Sequence, residues 1–264
     1  MELETIKNVR KWGNSAGVLL PRQWIGKEIK VILIDRTEEI NKEVFSILGP
    51  FLTDISGIYL TGSYARNEQE RDSDIDVLVI SKNVRKEIIS GKYHISIVPI
   101  DSVKKVLEKK PILIYPRLVE AKAIMNESLQ KELIQSSKID RASFSEFIKE
   151  TKGIIKINKK FLDLDAIEGE SLKSEGVIYS TILRLRGMFI IKCILHNKKY
   201  TKKGFKKWIL EENEGLNEED YEKIYKAYKD IKLDKKINLN NQFKIDKIFI
   251  ILNFLKKEVE SYAQ

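Results

Sequence analysis

The segment Asp74–Ile80, DIDVLVI, constrains this chain more than any other. It reads as a strand, and strand side chains alternate faces, so Asp74 and Asp76 point one way while Ile75 and Val77 point into a core. Two carboxylates spaced by one residue on an apolar strand are not packing choices, because burying an unpaired charge is costly. They suit a shared divalent cation instead. Mg²⁺ takes one or two carboxylates and completes its shell with water and substrate phosphates. Upstream, GIYLT reads as a second strand that runs into Gly62 and Ser63, with ten residues between Ser63 and Asp74. Glycine lets the backbone approach a phosphate, and the amides that follow, with the serine hydroxyl, form an anion site.

Composition narrows what surrounds this pair. At 264 residues, 42% of them hydrophobic, the chain is long enough for about two domains with their own cores. With 33% charged residues, no apolar run of about 18 residues and no apolar stretch at the start, a soluble cytoplasmic protein with no membrane contact is expected. The single cysteine, Cys193, excludes an internal disulfide and a cysteine-rich zinc site. Only two histidines are present, so a metal is expected on carboxylates.

The expected fold class is α+β in three segments. Residues 1–36, with strand-like IKNVRKW, VLLP and IKVILI broken by Gly13, Gly17, Pro21 and Gly26, read as a small β hairpin segment. It is too small to bury much alone and must pair with the rest of the chain or with a second copy. Residues 37–135 alternate helical and strand signals and read as a mixed-sheet α/β core. Ile40, Val44, Ile47, Leu48 and Leu52 mark an amphipathic helix there, KYHISIVPI a further strand, and Asp101 the cap of a helix at 102–109. Residues 141–264 read as a C-terminal helical bundle, with GVIYSTILRLRGMFIIKCIL, apolar on nearly every side, at its centre.

GSYARNEQERDSDID resembles the signature of the DNA polymerase β-like nucleotidyltransferase superfamily, in particular the minimal and kanamycin-nucleotidyltransferase-like enzymes. The resemblance implies that Gly62 and Ser63 bind nucleotide phosphates and that Asp74 and Asp76 are the catalytic pair holding Mg²⁺ or Mn²⁺. It further implies transfer of NMP from a nucleoside triphosphate, with ATP the expected substrate, to an acceptor hydroxyl on RNA, DNA or a partner protein. Arg66 is expected to add charge at the phosphates, an ion pair to Glu68 or Asp72 being the alternative. The family's third carboxylate is missing: Ser96 stands at its apparent place, with His94 and Asp101 as nearby stand-ins. That gap supports a second expectation, a catalytically degenerate fold serving as a nucleic-acid-binding regulator or toxin–antitoxin component.

The N-terminal VRKWGNSAGVLLPRQWIGKEIKVILI resembles the swapped-hairpin DNA-binding domain of AbrB-like regulators. That resemblance implies a homodimer through the hairpin, with Arg10, Lys11, Asn14, Ser15 and Arg22 facing DNA. A second basic region runs from Arg184 to Lys207 without one acid, within a chain of formal net charge +9. If helical, it gathers Lys199, Lys202, Lys203 and Lys206 on one side as a phosphate-facing patch.

Overall fold

A computed structural model describes residues 7, 9–31, 37–70, 73–235 and 243–262. The chain divides into two compact units, residues 1–43 and 44–264. In the first, β1 (Arg10–Trp12) and β2 (Ser15–Gly17) form an antiparallel hairpin in which Trp12 opposes Ser15. Gly13, at φ +59°, makes the two-residue turn that such tight hairpins need. Arg22–Trp24 form one 3-10 turn. The expected strand VLLP is irregular coil, and residues 32–34, the end of IKVILI, lie outside the described residues. Val9, Trp12, Leu19, Ile25, Ile29 and Val31 are exposed.

Helix α1 (Thr37–Leu48) buries Ile40, Val44 and Leu48, while Leu52, past its end, is exposed. The sheet is built from β3 (Ile55–Thr61), β4 (Ile75–Ser81), β5 (Lys86–Ser90), β6 (Tyr93–Pro99) and β7 (Lys122–Met125) in the order β5-β6-β4-β3-β7. Strand β4 is antiparallel to β3 and parallel to β6. The apolar runs of β3 and β4 are buried on both faces, as central strands demand. Charged β5 takes an edge, where Lys and Glu discourage pairing with another chain. It carries no apolar alternation and was not expected from the sequence.

A one-turn helix α2 (Gly62–Ala65) follows β3, and α3 (Ile100–Lys109) follows β6. Asp101 does not cap α3. Pro99 occupies the capping position, and Asp101 lies in the first turn, where its charge still complements the helix dipole. Helices α4 (Tyr115–Glu120) and α5 (Glu127–Ser136) flank β7. Together α3, α4 and α5 cover one face of the sheet, packing Val103, Leu107, Leu118 and Leu133 on Tyr59, Leu78 and Ile80. Tyr59 donates its hydroxyl to the carbonyl of Asn126 at 2.9 Å, and burial pushes its pKa up to about 12.

The remaining helices, α6 (Ser145–Glu168), α7 (Glu175–Leu195), α8 (Lys202–Glu211), α9 (Glu218–Lys232) and α10 (Ile245–Tyr262), form the expected bundle. Helix α7 supplies Val177, Ile178, Ile182, Leu185, Met188 and Ile191 to its core. Each such side chain contributes about 1.5–3 kcal/mol of burial. No helix among the described residues is long and apolar enough to cross a membrane.

The α6–α7 joint hangs on one buried carboxylate. Asp165 Oδ2 accepts the amides of Lys173 and Ser174, both at 2.9 Å, and Oδ1 accepts the Ser174 hydroxyl at 3.0 Å. Asp165→Ala strands these donors, and an unsatisfied buried donor costs about 1–3 kcal/mol. The expected result is a loss of about 2–4 kcal/mol in urea denaturation, with an unchanged m-value.

Candidate active site

The site grows from the end of β3. Thr61 is the cross-strand partner of Asp76, and the chain then turns sharply at Gly62, φ +70°. A Cβ at Gly62 would collide with the Asp76 carboxylate, so glycine is required twice, by its left-handed backbone and by the closeness of the acid. Ser63 sits in the first turn of α2, and its carbonyl accepts the Glu68 amide at 2.8 Å.

Asp74, just before β4, is exposed, while Asp76, within β4, is half-buried beside fully buried Val77. Burial pushes the Asp76 carboxyl above the ordinary carboxylate range, and the charge of Asp74 adds to the rise. Arg117, Lys232 and His94 oppose it. Two of these were not foreseen. Arg117 stands on α4 and Lys232 at the end of α9, so the sheet's acid is watched by a cation from the bundle as well as one from its own layer.

The strand register also corrects the place of the missing carboxylate. In the parallel pairing of β4 with β6, Asp76 neighbours His94, whereas Ser96 neighbours Leu78. Ser96 Oγ donates to Glu87 Oε2 on β5 at 2.9 Å. His94, exposed, therefore occupies the position beside Asp76. No group of three or more His, Cys, Asp or Glu side chains fit to hold a metal occurs among the described residues. Asp74 and Asp76 alone still suit Mg²⁺, which needs few protein oxygens when phosphates supply the rest.

Arg66 does not face open solvent awaiting phosphate. Its Nη1 meets Glu120 Oε2 at 2.6 Å and its Nε meets Glu68 Oε2 at 2.9 Å, with the guanidinium 5.3 Å above the Tyr200 ring. Asp72, the other partner expected from the sequence, lies outside the described residues. Glu120 Oε1 in turn accepts the Gly62 amide at 3.0 Å. Glu68 and Glu70 also reach the bundle: Glu68 Oε1 accepts the Lys202 amide at 2.8 Å, and Glu70 pairs with Lys202 at 3.1 Å and Lys229 at 3.5 Å.

Part of the basic run 184–207 is likewise paired with acids outside it. Arg184 meets Glu150, Lys206 meets Glu218 and Glu222, and Lys207 meets Glu211. Arg186 is enclosed by phenols, donating to the hydroxyls of Tyr200 and Tyr228. Lys199 lies before α8 and Lys203 is exposed upon it. The four lysines therefore do not form one helical face, because α7 ends at Leu195 and α8 begins only at Lys202. In the N-terminal unit, Arg10 and Lys11 lie on β1, Asn14 in the turn, Ser15 on β2 and Arg22 in the 3-10 turn. A surface depression of 570 Å³ lies along β7 and α5 and includes none of the residues around Asp76.

Part of this chain is similar to a known family and to several solved structures. Residues 37–162 match the family model of the nucleotidyltransferase domain. A nucleotidyltransferase-like protein from Exiguobacterium sibiricum 255-15 aligns over 85% of this chain and 74% of its own, at 13% identity and TM-score 0.34. Spectinomycin adenyltransferase AAD(9) from Enterococcus faecialis, solved with ATP and spectinomycin, aligns over 84% of this chain and 98% of its own, at 16% identity and TM-score 0.44. A toxin–antitoxin structure with AMP-PNP aligns over 44% and 95%, at 16% identity and TM-score 0.28. A search of curated proteins gave no significant match. Gly62, Ser63, Asp74 and Asp76 all lie inside the matched stretch, so the candidate site falls in the part of this chain that is similar to nucleotidyltransferase domains.

Proposed function

We propose that this chain transfers a nucleoside monophosphate from a nucleoside triphosphate, ATP being the expected donor, to an acceptor hydroxyl. The observation that carries this reading is the approach of Gly62 to Asp76, which puts a phosphate-sized turn and a carboxylate pair at one strand end. Bound at Asp74 and Asp76, Mg²⁺ would neutralise charge on the triphosphate. The chain's own work is positioning. The Ser63 hydroxyl and the amides that follow Gly62 hold phosphate oxygens, Glu120 takes the Gly62 amide and with Arg66 fixes the turn's shape, and the half-buried strand end excludes part of the solvent that would screen these charges. His94 is the group on the neighbouring strand placed to accept the acceptor's proton.

Of the four lysines expected to form a patch in the basic run, Lys202 and Lys206 are held in ion pairs, which weakens the sequence argument for a polyanionic acceptor. The alternative, a degenerate fold acting as a regulator, is supported by the absence of a third carboxylate beside Asp76 in the described strands. Six exposed apolar residues in the first unit support a homodimer formed there.

Three outcomes are expected. Changing Asp74 and Asp76 together to Ala abolishes Mg²⁺-dependent nucleoside triphosphate binding by calorimetry and leaves the circular dichroism spectrum intact. Unchanged affinity would remove both residues from the site. Second, a carboxyl raised by burial loses stability as pH rises through the interval between its unfolded value, about 3.9, and its higher folded one. Metal-free Asp76→Asn therefore melts higher than the parent at pH 7, and the gap closes below about pH 4. Third, deleting residues 1–36 turns a dimer into a monomer by light scattering; a monomeric parent refutes the hairpin interface.

A further inference from the structure

In the nucleotidyltransferase reading Arg66 is not open to the triphosphate, since it is engaged with Glu68 and Glu120. Arg117 stands one helical turn before Glu120 on α4, at the spacing that puts both on one face. Glu120 touches the Gly62 amide, and Gly62 lies against Asp76, so this face of α4 overlooks the carboxylate pair. Arg117 is half-buried, yet no hydrogen bond or ion pair joins it to another described residue. Burial pushes its proton affinity down, and the charges of Asp76, Glu87 and Glu120 pull it back up. It is thus surrounded by acids without being fastened to one.

A partly desolvated guanidinium with free donors is an expensive arrangement for a merely structural residue. Its planar fork matches two oxygens of a phosphate, and charge-assisted bonds of this kind are about twice as strong as neutral ones. We infer that Arg117 is a phosphate-binding residue of this site, donating its guanidinium fork to the polyphosphate of the nucleoside triphosphate held over Gly62 and Asp76. The position does for the substrate what Arg66 does for the protein. Arg66 commits its donors to shaping the turn, and Arg117 keeps its donors for the ligand.

The inference rests on the proposed function, and one set of titrations separates the two. The full-length parent, Arg117→Gln and Arg117→Lys are titrated with ATP, GTP, CTP and UTP, with inorganic tripolyphosphate, and with the nucleoside of whichever triphosphate binds tightest, all with Mg²⁺. Arg117→Gln is expected to weaken the triphosphate and tripolyphosphate by about ten- to a hundredfold while nucleoside affinity stays at the parental value. Arg117→Lys, which keeps the charge without the fork, is expected to fall between parent and Gln variant and guards against a misfolded substitution. Equal tripolyphosphate affinity in parent and variants overturns the role of Arg117 and leaves the nucleotidyltransferase reading standing. An equal loss for nucleoside and triphosphate also overturns it, because that pattern marks a structural residue. A parent that binds none of the four triphosphates overturns both.

Discussion

The Glu120 carboxylate is the interaction on which the site's geometry depends. One oxygen takes the Gly62 amide, the other takes Arg66, and Arg66 passes the connection to Glu68 and the ring of Tyr200. The left-handed turn at Gly62 would be a mobile joint if only the ends of β3 and β4 held it. The carboxylate makes it a fixed corner. Such a half-buried ion network is held less by net Coulombic gain than by the cost of leaving any one member unpaired. That is why Arg66, a natural candidate for the substrate's charge, is committed to the protein.

Much of this was legible in the residues. The spacing of Gly62, Ser63, Asp74 and Asp76 marks the strand–turn–strand corner because each residue type has a local reason to be there: positive φ, a hydroxyl in the first turn after it, strand parity. The bundle was legible from the all-round apolarity of α7. Strand β5 was not, since an edge strand with charged residues lacks the alternation that betrays burial. Helix α5 was hidden for a similar reason. Its start is signalled only by Asn126, whose side chain accepts the Leu129 amide at 3.0 Å.

Charge was the least legible quantity. A run without acids from Arg184 to Lys207 looks like an open cationic face, yet Arg184, Lys202 and Lys206 within it are paired with Glu150, Glu70, Glu218 and Glu222. Ion pairing across a fold is a three-dimensional fact, and local composition carries no trace of it. Arg117 shows the converse. Nothing in YPRLVE sets it apart, and its significance comes from which acids surround it without touching it.

The ties from Glu68 and Glu70 to the start of α8 and to α9 give the helical layer a mechanical role. The peptide group of Lys202 acts as a fulcrum: a tilt of α8 must either break its bond to Glu68 or carry the loop after α2 along with it. The first turn of α8 is thereby held to one orientation against that loop.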